Sequence, residues 1–509
     1  MSKSSDEQHI LEVFKKPPKP ETNWRSIYIA TILSFVGSVQ FSLYFSVLWP
    51  YLQVVDPAAT ETFFGYIVAV YSAGQIISSP LFGFWSNKIM QVRLPLYVGL
   101  TLMIIGNVCY ICLETVTFPR RFFMFIGRFI TGAGSGNVTL LRTYASTAST
   151  FKDRPKAIAY VTCGQAIGST CGPLFQLFFT PLNHPGFTIF GSIRINMYTA
   201  PAYFACFMNI SGIMALRFLF NEDYAGIREG SAKGKKSDAP NMNVPMYDTI
   251  AYAICCLTRF TQMFINTNLE TLGSPFSMMM FNWAEKTAVT VTAAAQGIIG
   301  CFTLLTYIAY IVFKLEDFVS ARKACTISLF ALIIFHLVTY SWPFLPGQVI
   351  IHNSAMLDIA NRTKKYNIGC NMGKFTWCDS LKPVNVYLYY AMYVVVIGFA
   401  YPTLNIAATT LLSKVLGPRP QGTQQGIFQA SGSMARMIGP VGISTLYVSF
   451  GPRMAWNLEI CVITTTLVIW GIWYSRMIPL RVPAIPESCQ TQRARRVLSR
   501  TSRTSLASR

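Results

Sequence analysis

Long runs of apolar residues, separated by short polar segments, dominate the chain from residue 27 to residue 478. A helix needs roughly 20 apolar residues to cross the ~30 Å hydrocarbon layer of a bilayer, and a helix also satisfies its own backbone hydrogen bonds there. The runs of about this length are 27–50, 62–85, 94–113, 121–146, 157–181, 196–220, 248–276, 287–313, 324–345, 385–411, 423–450 and 454–478. The pattern predicts an all-α membrane protein with twelve transmembrane helices, numbered here as spans one to twelve.

A hydrophilic stretch at 221–247 divides the spans into two sets of six. Its charged residues, Gly and Pro are typical of a linker. We therefore predict two six-helix bundles. The predicted segments are a cytosolic tail at 1–26, the N-terminal bundle at 27–220, a cytosolic linker at 221–247, the C-terminal bundle at 248–478 with a long lumenal loop at 346–384, and a basic cytosolic tail at 479–509.

Composition supports a membrane protein. Hydrophobic residues occupy 52% of the 509 positions and charged residues only 12%, whereas soluble domains carry about 25% charged residues. The net charge of +21 arises largely in the tails, the linker and alternate loops. By the positive-inside rule, this distribution places both termini in the cytosol. Nucleic-acid binding is disfavoured, because no soluble domain presents a basic face.

Spans five and eleven share a short motif. The string Gln-Ala-Ile-Gly-Ser at 165–169 precedes Gly172-Pro173, and Gln-Ala-Ser-Gly-Ser at 429–433 precedes Gly439-Pro440. Two copies six spans apart indicate duplicated bundles. The alternative is independent recurrence, because small residues allow membrane helices to pack closely.

Two further patterns lie in spans two and four. Gly83 is followed by Asn87, Lys88 and Arg93 around a short loop, and Arg128 is followed by three glycines. With the six-plus-six arrangement, these patterns resemble the major facilitator superfamily of membrane transporters. The resemblance implies a gating loop after span two, although Asn87 stands where the family usually has an acid. The residues assigned to helix packing are Gly132, Gly134, Gly136, Gly168, Gly172, Pro173, Gly439 and Pro440.

Several longer strings narrow the resemblance. They include residues 24–27, 48–52, 79–87, 195–199 and 416–422. These strings are similar to the lysosomal branch of the superfamily that is linked to neuronal ceroid lipofuscinosis, and the likeness extends from about residue 24 to residue 478. It implies a transporter fold in the lysosomal or late-endosomal membrane. It also implies chloride conductance as an alternative activity.

Ionisable residues inside the spans are the principal candidates for function, because charges within a bilayer are costly. Arg128, Arg259 and Arg436 lie deep in spans four, seven and eleven, and Glu270 lies nearer the lumenal end of span seven. A cavity lined in this way is net positive and favours an anion. Glu270 is the candidate for proton coupling, and it could pair with Arg436 or Arg128. Arg142 is assigned to an inner gate or a loop anchor.

Polar residues within the spans add weaker candidates. Gln165 and Asn137 could line a pathway, although such residues more often form hydrogen bonds between helices. The four His residues are scattered, without the paired spacing of a metal site. We therefore expect no metal, no cofactor and no enzymatic activity.

Features outside the spans predict location and processing. Cys370 and Cys378 fall in the lumenal loop, where a disulfide is expected, and Asn361 begins an N-glycosylation motif in the same loop. In the N-terminal tail, Asp6, Ile10 and Leu11 resemble an acidic dileucine signal for sorting adaptors. We expect a multi-pass protein of the lysosomal or late-endosomal membrane.

The sequence therefore favours a transporter that moves a small anionic solute by alternating access, with protons as a candidate coupling ion. A chloride channel on the same fold is the first alternative. A membrane receptor or scaffold that does not transport is the second.

Overall fold

A computed structural model describes residues 21–44, 48–59, 61–116, 118–183, 185–190, 193–227, 245–283, 285–352, 369–372 and 375–480. The helices of the first half are Trp24–Leu43, Leu48–Val55, Glu61–Ile89, Arg93–Ile111, Arg120–Gly134, Asn137–Ala148, Arg154–Phe179 and Ala200–Phe218. Those of the second half are Thr249–Met280, Glu285–Val312, Leu315–Phe318, Ala321–Val338, Val386–Met392, Gly398–Leu416, Gly422–Phe450 and Pro452–Ile472. Helices occupy all twelve predicted spans, so the predicted fold class is confirmed.

Spans four and ten each contain more than one helical segment. Span four consists of the helices Arg120–Gly134 and Asn137–Ala148, and a π-helical turn at Tyr393–Ile397 joins the two helices of span ten. Short antiparallel strands, Phe187–Phe190 and Ile193–Ile195, precede span six. A second pair, Ile351–His352 and Cys370–Asn371, runs parallel in the long loop.

Seven of the described helical segments are long and apolar enough to cross a membrane by length and composition. These segments are Trp24–Leu43, Phe63–Ile89, Arg93–Glu114, Thr290–Val312, Ala321–Val338, Val386–Leu416 and Pro452–Ile472.

Helix pairing follows the same scheme in both halves. Span one packs along span five and span three on span six, while span seven packs along span eleven and span nine on span twelve. Each pair in the second half is the counterpart of one in the first, six spans later. This correspondence supports the duplication that the repeated motif indicates. Helix caps repeat as well, because Asn23 and Asp248 accept hydrogen bonds from the first turns of spans one and seven.

Glycines permit the close helix pairs. A Cβ atom on Gly168 or Gly172 would overlap span one, and one on Gly439 would meet Asn268 of span seven at 2.8 Å. The glycines of span four serve another interface: a Cβ on Gly132 would overlap the backbone of Tyr71 in span two. Larger residues at these positions would separate the helices. Gly134 and Gly136 are similarly close to Gly99 of span three and Ser78 of span two, and Pro440 lies inside the helix of span eleven.

At one end of the molecule, here called the Asn87 end, the backbones of spans two and eleven come into direct contact. The backbone of Gly83 lies so near Gly422 that a side chain on either residue would clash. Asn87 accepts a hydrogen bond from the Gly422 N–H at 2.8 Å and donates one to the Thr423 hydroxyl at 3.0 Å.

At the other end of span two, Phe63 and its neighbours line an open apolar cleft of about 400 Å³ that reaches Met437 of span eleven.

The long loop is held by a covalent bond, because Cys370 and Cys378 form a disulfide. Trp377 within that disulfide loop lies against Gly451, which has a φ of +86°.

The predicted glycosylation site, Asn361, and the predicted sorting residues, Asp6, Ile10 and Leu11, lie outside the described residues.

Candidate functional site

Three arginines from both halves converge where the bundles face each other. Arg142 comes from the second helix of span four, Arg259 from span seven and Arg436 from span eleven. Arg142 is 2% exposed and Arg259 is 1% exposed, whereas Arg436 is half-buried. They are called the arginine cluster below. Two of them, Arg259 and Arg436, match the sequence-based candidates.

Gln429 connects the cluster across the two halves. Its Oε1 accepts a hydrogen bond from Arg142 Nη1 at 2.8 Å and another from Arg259 Nη2 at 3.3 Å. The other amino group of Arg142, Nη2, donates to Gln165 Oε1 at 2.7 Å. Gln165 and Gln429 are the first residues of the two repeated motifs. The duplication therefore places two equivalent glutamines on either side of one arginine.

Neutral side chains also surround Arg259 on its remaining side. Its Nη1 donates to Gln262 Oε1 at 2.9 Å and to Asn405 Oδ1 at 2.7 Å. Asn405 is held in turn by its Nδ2, which donates to the Tyr307 hydroxyl at 3.2 Å. The guanidinium thus has acceptors from spans seven, ten and eleven, and all of them are amide oxygens.

Arg436 binds the first half directly. Its Nη2 donates to Gln75 Oε1 in span two, and Ser433 donates to the same oxygen at 2.7 Å. The guanidinium carbon lies 5.6 Å from the ring centre of Phe41 in span one. Arg436 therefore contacts both halves, as Arg142 does.

The cluster has no directly contacting carboxylate within the described part of the chain. No carboxylate there lies within 4.0 Å of the three guanidinium groups, and the Nε atoms of all three arginines lack a hydrogen-bond acceptor. Burying a charge without an opposite charge is costly. The arrangement is suited to an anion that supplies both the charge and the missing acceptors.

Glu270 does not form the ion pair that the sequence suggested. Within the described residues it makes no salt bridge to Arg436 or Arg128, and its Oε1 instead accepts a hydrogen bond from Asn266 at 2.8 Å. The side chain is exposed, although Arg436 is near enough to interact with it electrostatically. Along span seven, Glu270 lies about three helical turns beyond Arg259, towards the open end.

Arg128 and Asn137 lie inside the N-terminal bundle rather than in the cluster. The Arg128 guanidinium stacks over the Tyr71 ring at 4.7 Å, and Tyr71 also lies within electrostatic range of Arg436. Asn137 donates to the Leu96 carbonyl at 3.4 Å, between spans three and four. The Asn137 side chain thus forms a hydrogen bond between two helices of one bundle, the alternative that the sequence analysis left open, and its role in a pathway stays a prediction.

The predicted gating residues separate into two groups. Asn87 and Gly83 join the halves at the Asn87 end, and Lys88 beside them is exposed. Arg93 donates to the Arg217 carbonyl at 2.6 Å and thereby ties span three to span six within one bundle. Arg142, assigned to an inner gate or a loop anchor from its sequence position, lies in the arginine cluster and donates a hydrogen bond to Gln429 of the other half.

Sequence reasoning missed one buried pair completely. His336 of span nine and Glu459 of span twelve are 0% and 1% exposed, and Nε2 lies 2.5 Å from Oε2. His336 Nδ1 is 2.7 Å from the Leu332 carbonyl, so Nδ1 carries a proton. Two single titratable residues on separate spans give no sequence signal of their contact. Among the described residues, no group of three His, Cys, Asp or Glu side chains is placed to hold a metal.

The chain belongs to the Major Facilitator Superfamily, whose family model matches residues 28–381. This match confirms the resemblance drawn from the loop and span-four patterns. The chain is 28% identical to Major facilitator superfamily domain-containing protein 8 of Xenopus laevis over 489 residues, which are 93% of this chain and 95% of that protein. It is 25% identical to Multidrug resistance protein 1 of Bacillus subtilis (strain 168) over 241 residues, 47% of this chain and 55% of that protein.

Solved structures of the superfamily share the fold. The human organic anion transporter MFSD10 (TETRAN) aligns with a TM-score of 0.60 at 14% identity, covering 89% of this chain and 100% of that one. The proton:xylose symporter XylE aligns with a TM-score of 0.64 at 14% identity, covering 90% and 97%. The chain is therefore a multi-pass membrane protein with a transporter fold.

Proposed function

We propose that the protein is a carrier that moves a small anionic solute across a membrane by alternating access. The observation that carries this proposal is the arginine cluster, in which three guanidinium groups between the two halves have only neutral acceptors. An anion at this position would supply the missing negative charge and accept hydrogen bonds from the free Nε–H groups. The same fold serves organic anions in human MFSD10.

The division of the cluster between the halves supports a carrier mechanism. Arg142 belongs to the N-terminal bundle, whereas Arg259 and Arg436 belong to the C-terminal bundle. A solute held by all three links the bundles, so its binding and release are coupled to their rocking about the site. A ligand shifts this equilibrium only as far as it binds one state better than the other.

The direct contact at the Asn87 end favours a carrier over a channel. A channel needs a continuous path, whereas here spans two and eleven touch through Gly83, Asn87 and Gly422. In the proposed orientation, with both termini in the cytosol, the closed end is cytosolic and the open cleft faces the lumen. The structure then corresponds to the lumen-facing state of the transport cycle.

Glu270 is the proposed proton-coupling residue. It lies on the open side and within electrostatic range of Arg436, so it can exchange protons with the lumen. Protonation of Glu270 would remove a negative charge that competes with the solute for Arg436. Proton binding would thereby strengthen anion binding from the lumen.

We place the protein in the lysosomal or late-endosomal membrane. The support is the resemblance to the lysosomal branch and the likeness of Asp6, Ile10 and Leu11 to a sorting signal for adaptors. Asn361 is proposed to carry an N-linked glycan on the lumenal side, in the same loop as the disulfide.

The proposal is tested with the full chain in proteoliposomes and a panel of radiolabelled organic anions, with and without a pH gradient. Saturable uptake that depends on the gradient is expected, and Arg259→Gln should lower it about 100-fold through loss of charge-assisted hydrogen bonds. Arg25→Gln, at an exposed position, is the matched control. A chloride current without saturation would favour the channel alternative. Neither uptake nor current would favour a receptor or scaffold.

A further inference from the structure

A small cavity lies inside the N-terminal bundle, between spans one, three and four and apart from the arginine cluster. Its polar lining consists of Tyr44, Asn107, Tyr110, Arg128 and Thr131. The cavity volume, measured as the space that the centre of a water-sized sphere can occupy, is about 10 Å³. This is room for one small particle. A solute with several heavy atoms does not fit.

Arg128 contributes a cation to this cavity, and it has no hydrogen-bond acceptor among the described residues. The side chain is only 8% exposed, it donates no hydrogen bond to any residue that the structure describes, and its Nε is buried without a partner. The rings of Tyr71 and Tyr44 lie 4.7 and 5.6 Å from the guanidinium carbon. These rings attract the cation through their faces, but they leave its N–H groups without oxygen acceptors.

A second hydrogen-bond donor of the cavity lacks an acceptor as well. The hydroxyl of Tyr110 is buried and has no hydrogen-bond partner among the described residues. The remaining polar groups of the lining are already engaged. Tyr44 donates to Asn107 Oδ1 at 2.6 Å, Asn107 Nδ2 donates to Gln40 at 3.3 Å, and Thr131 donates to the Gly127 carbonyl at 2.9 Å.

We propose that this cavity is a binding site for a single small anion of halide size. Arg128 supplies the opposite charge and Tyr110 supplies a hydroxyl donor, while the Asn107 carbonyl oxygen, which would repel an anion, is occupied by Tyr44. A water molecule could accept the two hydrogen bonds but would leave the buried charge uncompensated. The monatomic size follows from the volume of the cavity.

The site is independent of the proposed transport route. All of its lining residues belong to one bundle, so the anion stays bound while the two bundles move. Its function is to neutralise Arg128 and to stabilise the packing of spans one, three and four. The proposal therefore stands or falls separately from the substrate of the arginine cluster.

The test measures the thermal unfolding midpoint of the purified full chain in detergent. Sodium gluconate is replaced stepwise by sodium chloride or bromide at constant ionic strength. A saturable rise in the midpoint is expected, because an anion that binds only the folded state stabilises it. Tyr110→Phe keeps the ring and removes the hydroxyl, and it should raise the half-saturating halide concentration about tenfold.

Tyr203→Phe is the matched control, because the Tyr203 hydroxyl is also buried without a partner in the part of the chain that the structure describes, but it lies outside the cavity. It should leave the half-saturating concentration unchanged. Arg128→Gln should abolish the halide effect, and Tyr110→Phe decides the question if that variant does not fold. A midpoint independent of halide, or the same half-saturation in Tyr110→Phe and the wild type, would overturn the site and leave water as the occupant. Arg259→Gln should retain the halide effect even where it loses transport.

Discussion

Two groups of buried polar side chains in the C-terminal bundle are built in opposite ways. Between spans nine and twelve, the His336 ring and the Glu459 carboxyl group lie 2.5 Å apart and share a hydrogen bond. Between spans seven, ten and eleven, Arg259 is equally buried, but its partners are the amide oxygens of Gln262, Asn405 and Gln429. A buried titratable group that is paired with another joins two helices, whereas a buried guanidinium that has only neutral acceptors retains its attraction for an anion.

The largest effect is expected from breaking the paired site. Glu459→Ala should lower the free energy of unfolding by about 3–5 kcal/mol, because the His336 ring loses its buried partner. Denaturant-induced unfolding in micelles measures the change. The double variant His336→Leu, Glu459→Leu should recover most of the loss, since apolar residues can replace a buried pair. A single variant as stable as the wild type would show that the pair does not hold spans nine and twelve together.

The next prediction converts the unpaired site into a paired one. Gln429→Glu places a carboxylate between Arg142 and Arg259, so it should compete with the anionic solute and weaken its binding by about tenfold or more. The unfolding midpoint should be equal or higher, because the two guanidinium groups gain a counter-charge. Binding to the purified protein by calorimetry provides the measurement. Gln91→Glu makes the same change at an exposed position and serves as control; equal affinity in both variants would contradict the role of the cluster.

A third prediction concerns Glu270, the carboxylate that stands near the cluster without joining it. A pH difference of one unit is worth 1.36 kcal/mol per proton, or about a tenfold accumulation of solute. Glu270→Gln should remove this tenfold accumulation in proteoliposomes and preserve exchange of solute across the membrane without a gradient. Gradient-driven accumulation that survives the substitution would assign proton coupling to another group.

The positions of the spans could be predicted from the sequence, because apolar length is nearly sufficient to define a membrane helix. Arg259 and Arg436 were equally visible as charges within apolar runs. Their hydrogen-bond partners could not be predicted, because a membrane helix that is apolar on all sides shows no polar stripe from which its rotation can be inferred. The contacts of Arg142 depend on that rotation, and its position near a predicted span end suggested a gate instead.

The repeated motif of spans five and eleven indicates more than a duplication. It indicated duplication, and the structure shows that the glutamine of each copy accepts a hydrogen bond from Arg142. Gln429 could therefore have been nominated with Gln165 by internal symmetry alone. His336 and Glu459 belong to no repeat, and only tertiary structure brings spans nine and twelve together.

The last prediction concerns the Asn87 end, where the halves meet through neutral groups. Asn87→Ala removes two hydrogen bonds between the bundles, to Gly422 and Thr423, and should shift the equilibrium towards cytosolic opening by about 1–2 kcal/mol. Asn87→Asp keeps the acceptor and adds a favourable charge at the N-terminus of span eleven, so its shift should be smaller.

Distances between spin labels on the exposed residues Lys88 and Lys323 measure this equilibrium. A longer-distance population should increase about five- to thirtyfold in Asn87→Ala relative to the closed one, as the expected energies imply. Asn87→Asp is the control, because it also changes the side chain but keeps the hydrogen-bond acceptor for Gly422. If both variants keep the wild-type distances, the backbone contact of Gly83 with Gly422 holds this end closed without help from Asn87.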